Sequence, residues 1–62
     1  MDALFKKGDK FRCDGYLYHI VLPFEDNGEI FYVVKYYGKY RKWWHYDVFS
    51  EFKIEDYYEQ VR

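Results

Sequence analysis

The fold is decided by residues 25–37, which read Glu25-Asp26-Asn27-Gly28-Glu29-Ile30-Phe31-Tyr32-Val33-Val34-Lys35-Tyr36-Tyr37. Asn-Gly is the dipeptide that two-residue β-hairpin turns favour, because both central positions of such a turn need positive φ. The run after it, from Glu29 to Tyr37, is the most β-prone segment of the chain, since it is built mainly from β-branched and aromatic residues. This stretch therefore predicts a hairpin turn followed by a strand.

Further turn signals divide the remaining chain at short intervals. The four signals are Gly8-Asp9, Asp14-Gly15, Asn27-Gly28 and Gly38-Lys39. The strands that they delimit are predicted at residues 10–13, 16–22, 29–37 and 40–46. The second strand is expected to end before Pro23, because proline lacks the amide donor that a sheet ladder uses. Connections this short permit only antiparallel neighbours, so the sequence predicts a meander.

The C-terminal residues change from a strand period to a helical one. Apolar side chains recur at the spacing of one helical face, at Ile54, Tyr57, Tyr58 and Val61. Acidic side chains lie near the start of this segment, where they suit the helix dipole. The sequence predicts a short helix over residues 54–61. It leaves residues 47–53 open between a fifth strand, a 3₁₀ turn and the beginning of the helix.

These elements predict one mainly all-β domain over residues 1–62. We expect a small SH3-like barrel of four to five antiparallel strands with a short C-terminal helix, because closure removes unpaired strand edges. A flat four-stranded sheet with the helix laid across it is the alternative. A chain of 62 residues has a thin core, and its aromatic content of 27% supplies large side chains to fill it.

No arrangement in the sequence predicts catalysis or metal binding. The nucleophiles and bases at Cys13, His19, His45 and Ser50 have no recognised catalytic spacing. Cys13 falls on the inward side of the first strand, so we expect it to be a small buried hydrophobe. His45 and Asp47 offer two metal ligands without a third. We therefore expect a protein that is not an enzyme and that uses no metal and no cofactor.

The composition predicts a cytoplasmic protein that does not enter a membrane. The chain has no apolar run long enough for a signal peptide or for the ~20 residues of a membrane span. A single cysteine suits a reducing compartment, because it cannot form an internal disulfide. The net charge of −1 argues against bulk attraction to nucleic acid or to anionic lipid.

The near-neutral total conceals a polarised chain. Residues 30–46 carry four cations and no acid, whereas residues 17–29 and 47–62 each have a net charge of −3. The candidate partner-binding site lies in the cationic segment and comprises Lys35, Tyr36, Tyr37, Lys39, Tyr40, Arg41, Lys42, Trp43, Trp44 and His45. Because side chains alternate along a strand, Trp43 and Trp44 are expected on opposite faces, one buried and one exposed.

Three interpretations of this segment remain open. Trp, Tyr and Arg dominate the hot spots of protein interfaces, which favours a protein partner, and the cations favour an acidic surface on it. Aromatic rings beside cations also bind single-stranded nucleic acid, through base stacking and phosphate contacts. In the third interpretation the cations lie over aromatic rings and only stiffen the hairpin.

The same segment carries a family resemblance. Residues 31–38, followed by Trp43-Trp44 and Val48, resemble the chromo-barrel and Tudor branch of small barrels, and the opening Phe5-x-x-Gly8-Asp9-x-Phe11 is similar to the start of many small barrels. The resemblance covers about half of the chain. It implies an SH3-like barrel, and many of these domains hold methylated lysine or arginine in an aromatic cage. The positions that match such a cage are Tyr36, Trp43 and Trp44.

The sequence thus predicts a stand-alone, non-enzymatic binding module that engages a protein partner through an aromatic and basic hairpin. By analogy of size and format, the expected role is that of a small adaptor or inhibitor, such as a phage-type protein that modulates a host or its defences. The alternative is a small barrel that binds single-stranded nucleic acid or reads methylated residues.

Overall fold

The structure is a computed structural model that describes the backbone of residues 1–61 and the side chains of residues 1–57. The elements, in chain order, are β1 (Lys10–Cys13), β2 (Tyr16–Asp26), β3 (Glu29–Tyr37), β4 (Trp44–Ser50) and α1 (Glu51–Val61). The strands form one antiparallel sheet in the order β1-β2-β3-β4. The prediction of a mainly β domain with a short C-terminal helix is confirmed.

The sheet is open, because each of its outer strands has only one neighbour. Within the described chain, β1 pairs with β2 and β4 pairs with β3. The SH3-like barrel is therefore not confirmed, and the arrangement is that of the alternative, a four-stranded sheet with the terminal helix packed on it. The physical reason is that the chain turns into α1 directly after β4, and α1 then packs against β1 and β3. Residues that a fifth strand would need are used by the helix.

Two of the predicted hairpin turns have the expected backbone conformation. Asp14 and Gly15 have φ of 53° and 81°, and Asn27 and Gly28 have φ of 51° and 78°. Both central residues of each turn are left-handed, which is the type I′ geometry whose twist matches that of the strands. These turns fix the register of β1 on β2 and of β2 on β3.

β2 continues to Asp26, so the prediction that it ends at Leu22 is wrong. Asp26 and Glu29 close a two-residue hairpin as a hydrogen-bonded pair, and such pairs alternate with non-hydrogen-bonded ones along the ladder. Pro23, opposite Tyr32, consequently occupies a non-hydrogen-bonded position. Its nitrogen is directed to the free edge of β2, where the missing donor costs no ladder bond.

A β-bulge at Val21 changes which side chains of β2 face the helix. Ile20 pairs with Val34 and Leu22 pairs with Val33, so Val21 is the additional residue. A single inserted residue reverses the alternation of the strand. Ile20 therefore points into the core, whereas Leu22 points to the opposite face beside Val33.

The fourth strand begins later than predicted. β4 runs from Trp44 to Ser50 rather than over residues 40–46, and residues 38–43 form a loop rather than a two-residue turn. The Gly38 amide donates to the carbonyl oxygen of Trp43 at 2.9 Å, which closes the loop at its two ends. Residues 47–53, whose structure the sequence left open, divide between the end of β4 and the first turn of α1.

α1 begins at Glu51, three residues before its predicted start at Ile54. Ser50 caps it, since the Ser50 hydroxyl oxygen accepts a hydrogen bond of 3.2 Å from the amide of Lys53. A serine in this position satisfies one of the amides that the first helical turn leaves without a partner. The cap ends β4 and starts α1 at the same residue.

The core lies between α1 and one face of the sheet. Its buried members are Phe5, Phe11, Cys13, Tyr18, Ile20, Tyr32, Val34, Phe49 and Ile54. Burial of Cys13 and Ile54 confirms two sequence predictions, and Tyr57 packs half-buried against the cluster. The predicted contributions of Tyr58 and Val61 fall on side chains outside the described residues.

A hydrogen-bonded group that we call the Tyr32 clasp joins the N-terminal segment, β3 and α1. The Tyr32 hydroxyl donates to Oε2 of Glu51 at 2.5 Å and accepts from the Phe5 amide at 3.1 Å. The Leu4 amide donates to the same Glu51 oxygen at 3.1 Å. Burial, followed by the bond to Glu51, raises the pKa of Tyr32 to about 12.

Candidate functional site

Because α1 covers only one side of the sheet, the other side is exposed to solvent, and we call it the open face. Alternation along the strands, together with the cross-strand register, assigns its residues. Its members include Lys10, His19, Leu22, Val33, Lys35, Tyr37, Trp44, Tyr46 and Val48. They arise from all four strands, so the fold itself gathers them.

The middle of the open face is an apolar row that crosses three strands. Leu22, Val33 and Val48 lie side by side on β2, β3 and β4. Leu22 is 46% exposed and Val48 is 51% exposed, although both are large aliphatic side chains. Next to this row, Phe24 and Phe31 stack with their ring centroids 5.5 Å apart. An exposed apolar surface on one side of a small domain is typical of an interaction site.

A row of basic and aromatic residues lies beside the apolar row. Lys10, His19, Lys35 and Tyr46 are cross-strand neighbours on β1 to β4. The Lys35 ammonium is 4.8 Å from the centroid of the Trp44 ring, and the His19 ring meets that ring edge-on at 5.5 Å. Burial, and then the charges of Lys10 and Lys35, lower the pKa of His19, so the imidazole is neutral at neutral pH.

The backbone of the loop of residues 38–43 accepts hydrogen bonds from side chains of the two flanking strands. The Tyr37 hydroxyl donates to the carbonyl oxygen of Lys42 at 3.0 Å, and Nε2 of His45 donates to that of Arg41 at 3.2 Å. Gly38 is required here because a Cβ at this position would lie under 3.0 Å from the Arg41 carbonyl oxygen and from the His45 ring. The close approach of backbone and imidazole thus depends on glycine.

The loop displays aromatic and cationic side chains to solvent. Tyr40 is almost fully exposed, and Arg41 and Lys42 are exposed as well. The Lys39 ammonium lies 5.0 Å from the centroid of the Tyr16 ring, which connects the loop to the start of β2. The arrangement limits the conformational entropy that the loop backbone would lose on binding a partner.

The ten residues of the predicted site occupy three places. Three of them, Lys35, Tyr37 and Trp44, lie on the open face. Tyr36 and His45 stack on the helix side of the sheet with ring centroids 5.3 Å apart. The other five lie in the loop at Lys39, Tyr40, Arg41, Lys42 and Trp43. The open face and the loop adjoin at Trp44, whereas the Tyr36–His45 pair lies on the other side of the sheet, where His45 bonds to the loop at Arg41.

The prediction that one tryptophan is buried and the other exposed is wrong. Trp43 is 73% exposed and Trp44 is 38% exposed. The prediction assumed that both residues belong to one strand, but Trp43 lies in the loop and only Trp44 lies in β4. Trp44 packs against His19 and Tyr37 in near-perpendicular ring contacts, each with its centroid 5.5 Å away.

The three residues that match an aromatic cage do not converge in this structure. Directly paired residues of neighbouring strands point to the same face of a sheet. Tyr36 therefore lies with His45 on the helix side, and Trp44 lies with Tyr37 on the open face. Trp43 projects from the loop. The geometry therefore does not favour recognition of a methylated side chain at these positions.

Comparisons with known proteins add no family to this description. No protein-family model, curated protein or solved structure gives a significant match to the chain. The resemblance to chromo-barrel and Tudor domains consequently rests on the residues that carry it.

The described residues lack two further features. No group of three His, Cys, Asp or Glu side chains among residues 1–57 is placed to hold a metal ion. No helix in the described part of the chain combines the length and the apolar character that a membrane span requires.

Sequence reasoning missed several residues of the open face. Tyr46 and Val48 were recoverable, because alternation along β4 places them on the same side as Trp44 once the strand is given its observed bounds. Leu22 was not recoverable from a regular pattern, since the bulge determines its direction. Lys10 and His19 needed the register of β1 on β2 and of β2 on β3.

Proposed function

We propose that the protein is a non-enzymatic binding module whose open face and adjoining loop dock on a protein partner. The observation that carries the proposal is the exposed apolar row next to the basic and aromatic row. Tyr46 is 65% exposed, and it lies between Trp44 and Val48 on the face of β4 that points away from α1. Apolar side chains that share one exposed face in this way favour burial against another surface.

The charges around this surface define the partner's chemistry. Lys10 and Lys35 lie in the basic row, and the loop adds Arg41 and Lys42. The Lys39 ammonium is instead directed to the Tyr16 ring on the helix side of the sheet. By alternation, the carboxylates on this side of the sheet are confined to the far tip of the β2–β3 hairpin, within the described side chains. An acidic partner surface complements the basic end, and the complementary charges accelerate association at low salt.

A module of this kind acts by occupying a surface of its partner. The exposed tryptophan, tyrosine and arginine side chains are those that contribute most to protein interfaces, which supports a role as a small adaptor or inhibitor. The thiol of Cys13 is free and buried, as suits a protein of the cytosol.

Site-directed photo-crosslinking in a cytosolic extract tests the proposal. A benzophenone side chain introduced at Val48 on the open face is expected to crosslink to an acidic protein. The same side chain at Glu55, which is exposed on α1, is the matched control and should give no such product. The product from position 48 should decrease when Lys35→Glu is added, because the basic row then loses a cation. Equal products from both positions, or none from position 48, would contradict the proposal.

A second candidate function is binding of single-stranded nucleic acid. The observation that favours it is that Trp44, Tyr46 and Tyr37 lie on one sheet face beside Lys10 and Lys35. Bases stack on such rings while cations contact the phosphates. Fluorescence anisotropy with labelled single-stranded oligonucleotides tests this, and the salt slope should be about −0.7 for each phosphate contact. Salt-sensitive binding that Lys35→Glu weakens, together with no protein crosslink, would select this function.

A further inference from the structure

The hydrogen-bonding direction along β4 follows from one bond at the base of the loop. Gly38 and Trp43 form a hydrogen-bonded pair, with the Gly38 amide donating at 2.9 Å. Since hydrogen-bonded and non-hydrogen-bonded pairs alternate in an antiparallel ladder, Trp44, Tyr46 and Val48 are all non-hydrogen-bonded to β3. Their amide and carbonyl groups are directed to the free edge of the sheet.

The side chain of Asp47 confirms this direction and limits the edge. The Val48 amide donates to Oδ1 of Asp47 at 2.7 Å rather than to a strand. A side chain that covers an outward amide is one way in which proteins protect an edge strand. Among the described residues, the bonds outside the sheet include none to the backbone of Trp44 or Tyr46. Two consecutive outward positions are therefore available for pairing.

The other free edges of the sheet are poorer templates. β1 is only four residues long. The part of β2 that extends past β1 contains the bulge at Val21 and the outward-facing nitrogen of Pro23. A proline ring and a bulge both interrupt the regular ladder that an added strand needs. β4 is the edge on which the apolar row, the basic row and unpaired backbone groups coincide.

We propose, on the basis of the function proposed above, that the partner binds by adding an extended segment to the edge of β4. Main-chain bonds to Trp44 and Tyr46 provide the pairing, and alternate side chains of the segment extend the apolar row beside Val48. One end of the segment lies against the loop, where Arg41 and Lys42 are exposed. The segment that fits is apolar at alternate positions and carries its acidic residues at the loop end.

Selection from a displayed library of random peptides of about ten residues tests the chemistry of this segment, with the full chain as the target. The enriched peptides are expected to combine acidic residues with β-branched ones. Tyr46→Pro then tests strand addition, because it removes an outward amide without removing a bond to β3. Tyr46→Ala is the matched control, since it loses the same ring but keeps the amide. We expect Tyr46→Pro to bind a selected peptide about tenfold more weakly than Tyr46→Ala does.

A second measurement does not depend on the folding of the proline variant. In an added strand, only every second peptide amide donates to β4. N-methylation of those amides in the selected peptide should weaken binding to the wild-type chain about tenfold, whereas N-methylation of the intervening amides should have little effect. Equal effects in both registers, or equal binding by Tyr46→Pro and Tyr46→Ala, would overturn strand addition. If the selected peptides nevertheless bind Val48→Lys more weakly than the wild-type chain, docking on the open face stands without strand addition. Failure to enrich any peptide that is sensitive to Val48→Lys would overturn both proposals.

Discussion

Replacing Tyr32 by Phe is the sharpest test of how the N-terminal segment, β3 and α1 are held together. The Tyr32 hydroxyl is buried and bonded to Glu51 at 2.5 Å and to the Phe5 amide at 3.1 Å. The variant keeps the ring and its edge-on contact with Phe5, whose centroid is 5.6 Å away. Only the hydroxyl and its two bonds are removed.

The expected loss follows from these two bonds. A hydrogen bond to a charged group contributes about 1.5–3 kcal/mol, and a neutral one contributes about 0.5–1.5 kcal/mol. The free energy of unfolding should therefore fall by about 2–4 kcal/mol in Tyr32→Phe. A domain of 62 residues has about 3–9 kcal/mol in total, so the variant loses a large share of its stability.

The pH dependence of this difference has a definite sign. The folded state raises the pKa of Tyr32 from 10.0 to about 12, so it binds the phenolic proton more tightly than the unfolded state does. The resulting stability is complete below pH 10 and is lost as the pH rises toward 12. The difference in stability between wild type and Tyr32→Phe should therefore narrow over that interval.

Urea unfolding, followed by circular dichroism at neutral and at alkaline pH, measures both effects. Tyr46→Phe is the matched control, because its hydroxyl lies on the open face, and it should change the stability by less than about 0.5 kcal/mol. The reasoning is refuted if Tyr32→Phe unfolds at the wild-type urea concentration at neutral pH. It is also refuted if the difference widens above pH 10.

Three further predictions concern the loop, the tryptophans and His19. Gly38→Ala should cost about 1–3 kcal/mol, since the added Cβ overlaps the loop backbone and an imidazole, and thermal unfolding measures the loss. Trp44→Ala should lower the free energy of unfolding by about 1–2 kcal/mol, and the more exposed Trp43→Ala by less than about 0.5 kcal/mol, as measured by urea unfolding. A larger loss for Trp43→Ala than for Trp44→Ala would contradict the observed exposure. The folded state lowers the pKa of His19 below 6.5, so the unfolded state binds the imidazole proton more tightly. The free energy of unfolding should therefore fall as the pH decreases below that value. His19→Gln should remove this acid dependence from urea titrations, and an unchanged dependence would exclude the assignment.

The features that the sequence predicted correctly are those set by local backbone chemistry. Asp14-Gly15 and Asn27-Gly28 form tight turns because these residues tolerate positive φ at both positions. The burial of Ile54 follows from a helical period that is visible in the chain. In each case the neighbouring residues contain the whole physical reason.

Most of the errors arise where contacts with other strands or with the far end of a loop determine the outcome. Gly38-Lys39 has the composition of a tight turn but starts a longer loop. Glycine is needed at position 38 because the His45 ring, beyond the other end of the loop, leaves no room for a Cβ. Pro23 fits within a strand only because it lies at a non-hydrogen-bonded position on an edge. Capping by Ser50 starts α1 early and leaves no residues for the strand that a barrel needs. The first two conditions depend on partners in other parts of the chain, whereas the Ser50 cap, which accepts from Lys53, is a local signal that the sequence prediction overlooked.

The sequence predicted only part of the candidate site, because the rest depends on how separate strands align. The composition of residues 30–46 identified the cationic and aromatic segment, and Lys35, Tyr37 and Trp44 do share the open face. The apolar row was missed because its members come from three strands. The bulge at Val21, which turns Leu22 outward, has no signature in a regular alternation.

The Tyr32 clasp also has a consequence for the rates of folding and unfolding. Its bonds join residues that are 19, 27 and 47 positions apart, whereas the two hairpins pair near neighbours. Contacts between distant residues cost more loop-closure entropy, so the hairpins should form early and the clasp late. Interactions that are absent from the transition state slow unfolding without accelerating folding. The clasp should therefore govern how long the native state persists, while the two short turns govern how fast it is reached.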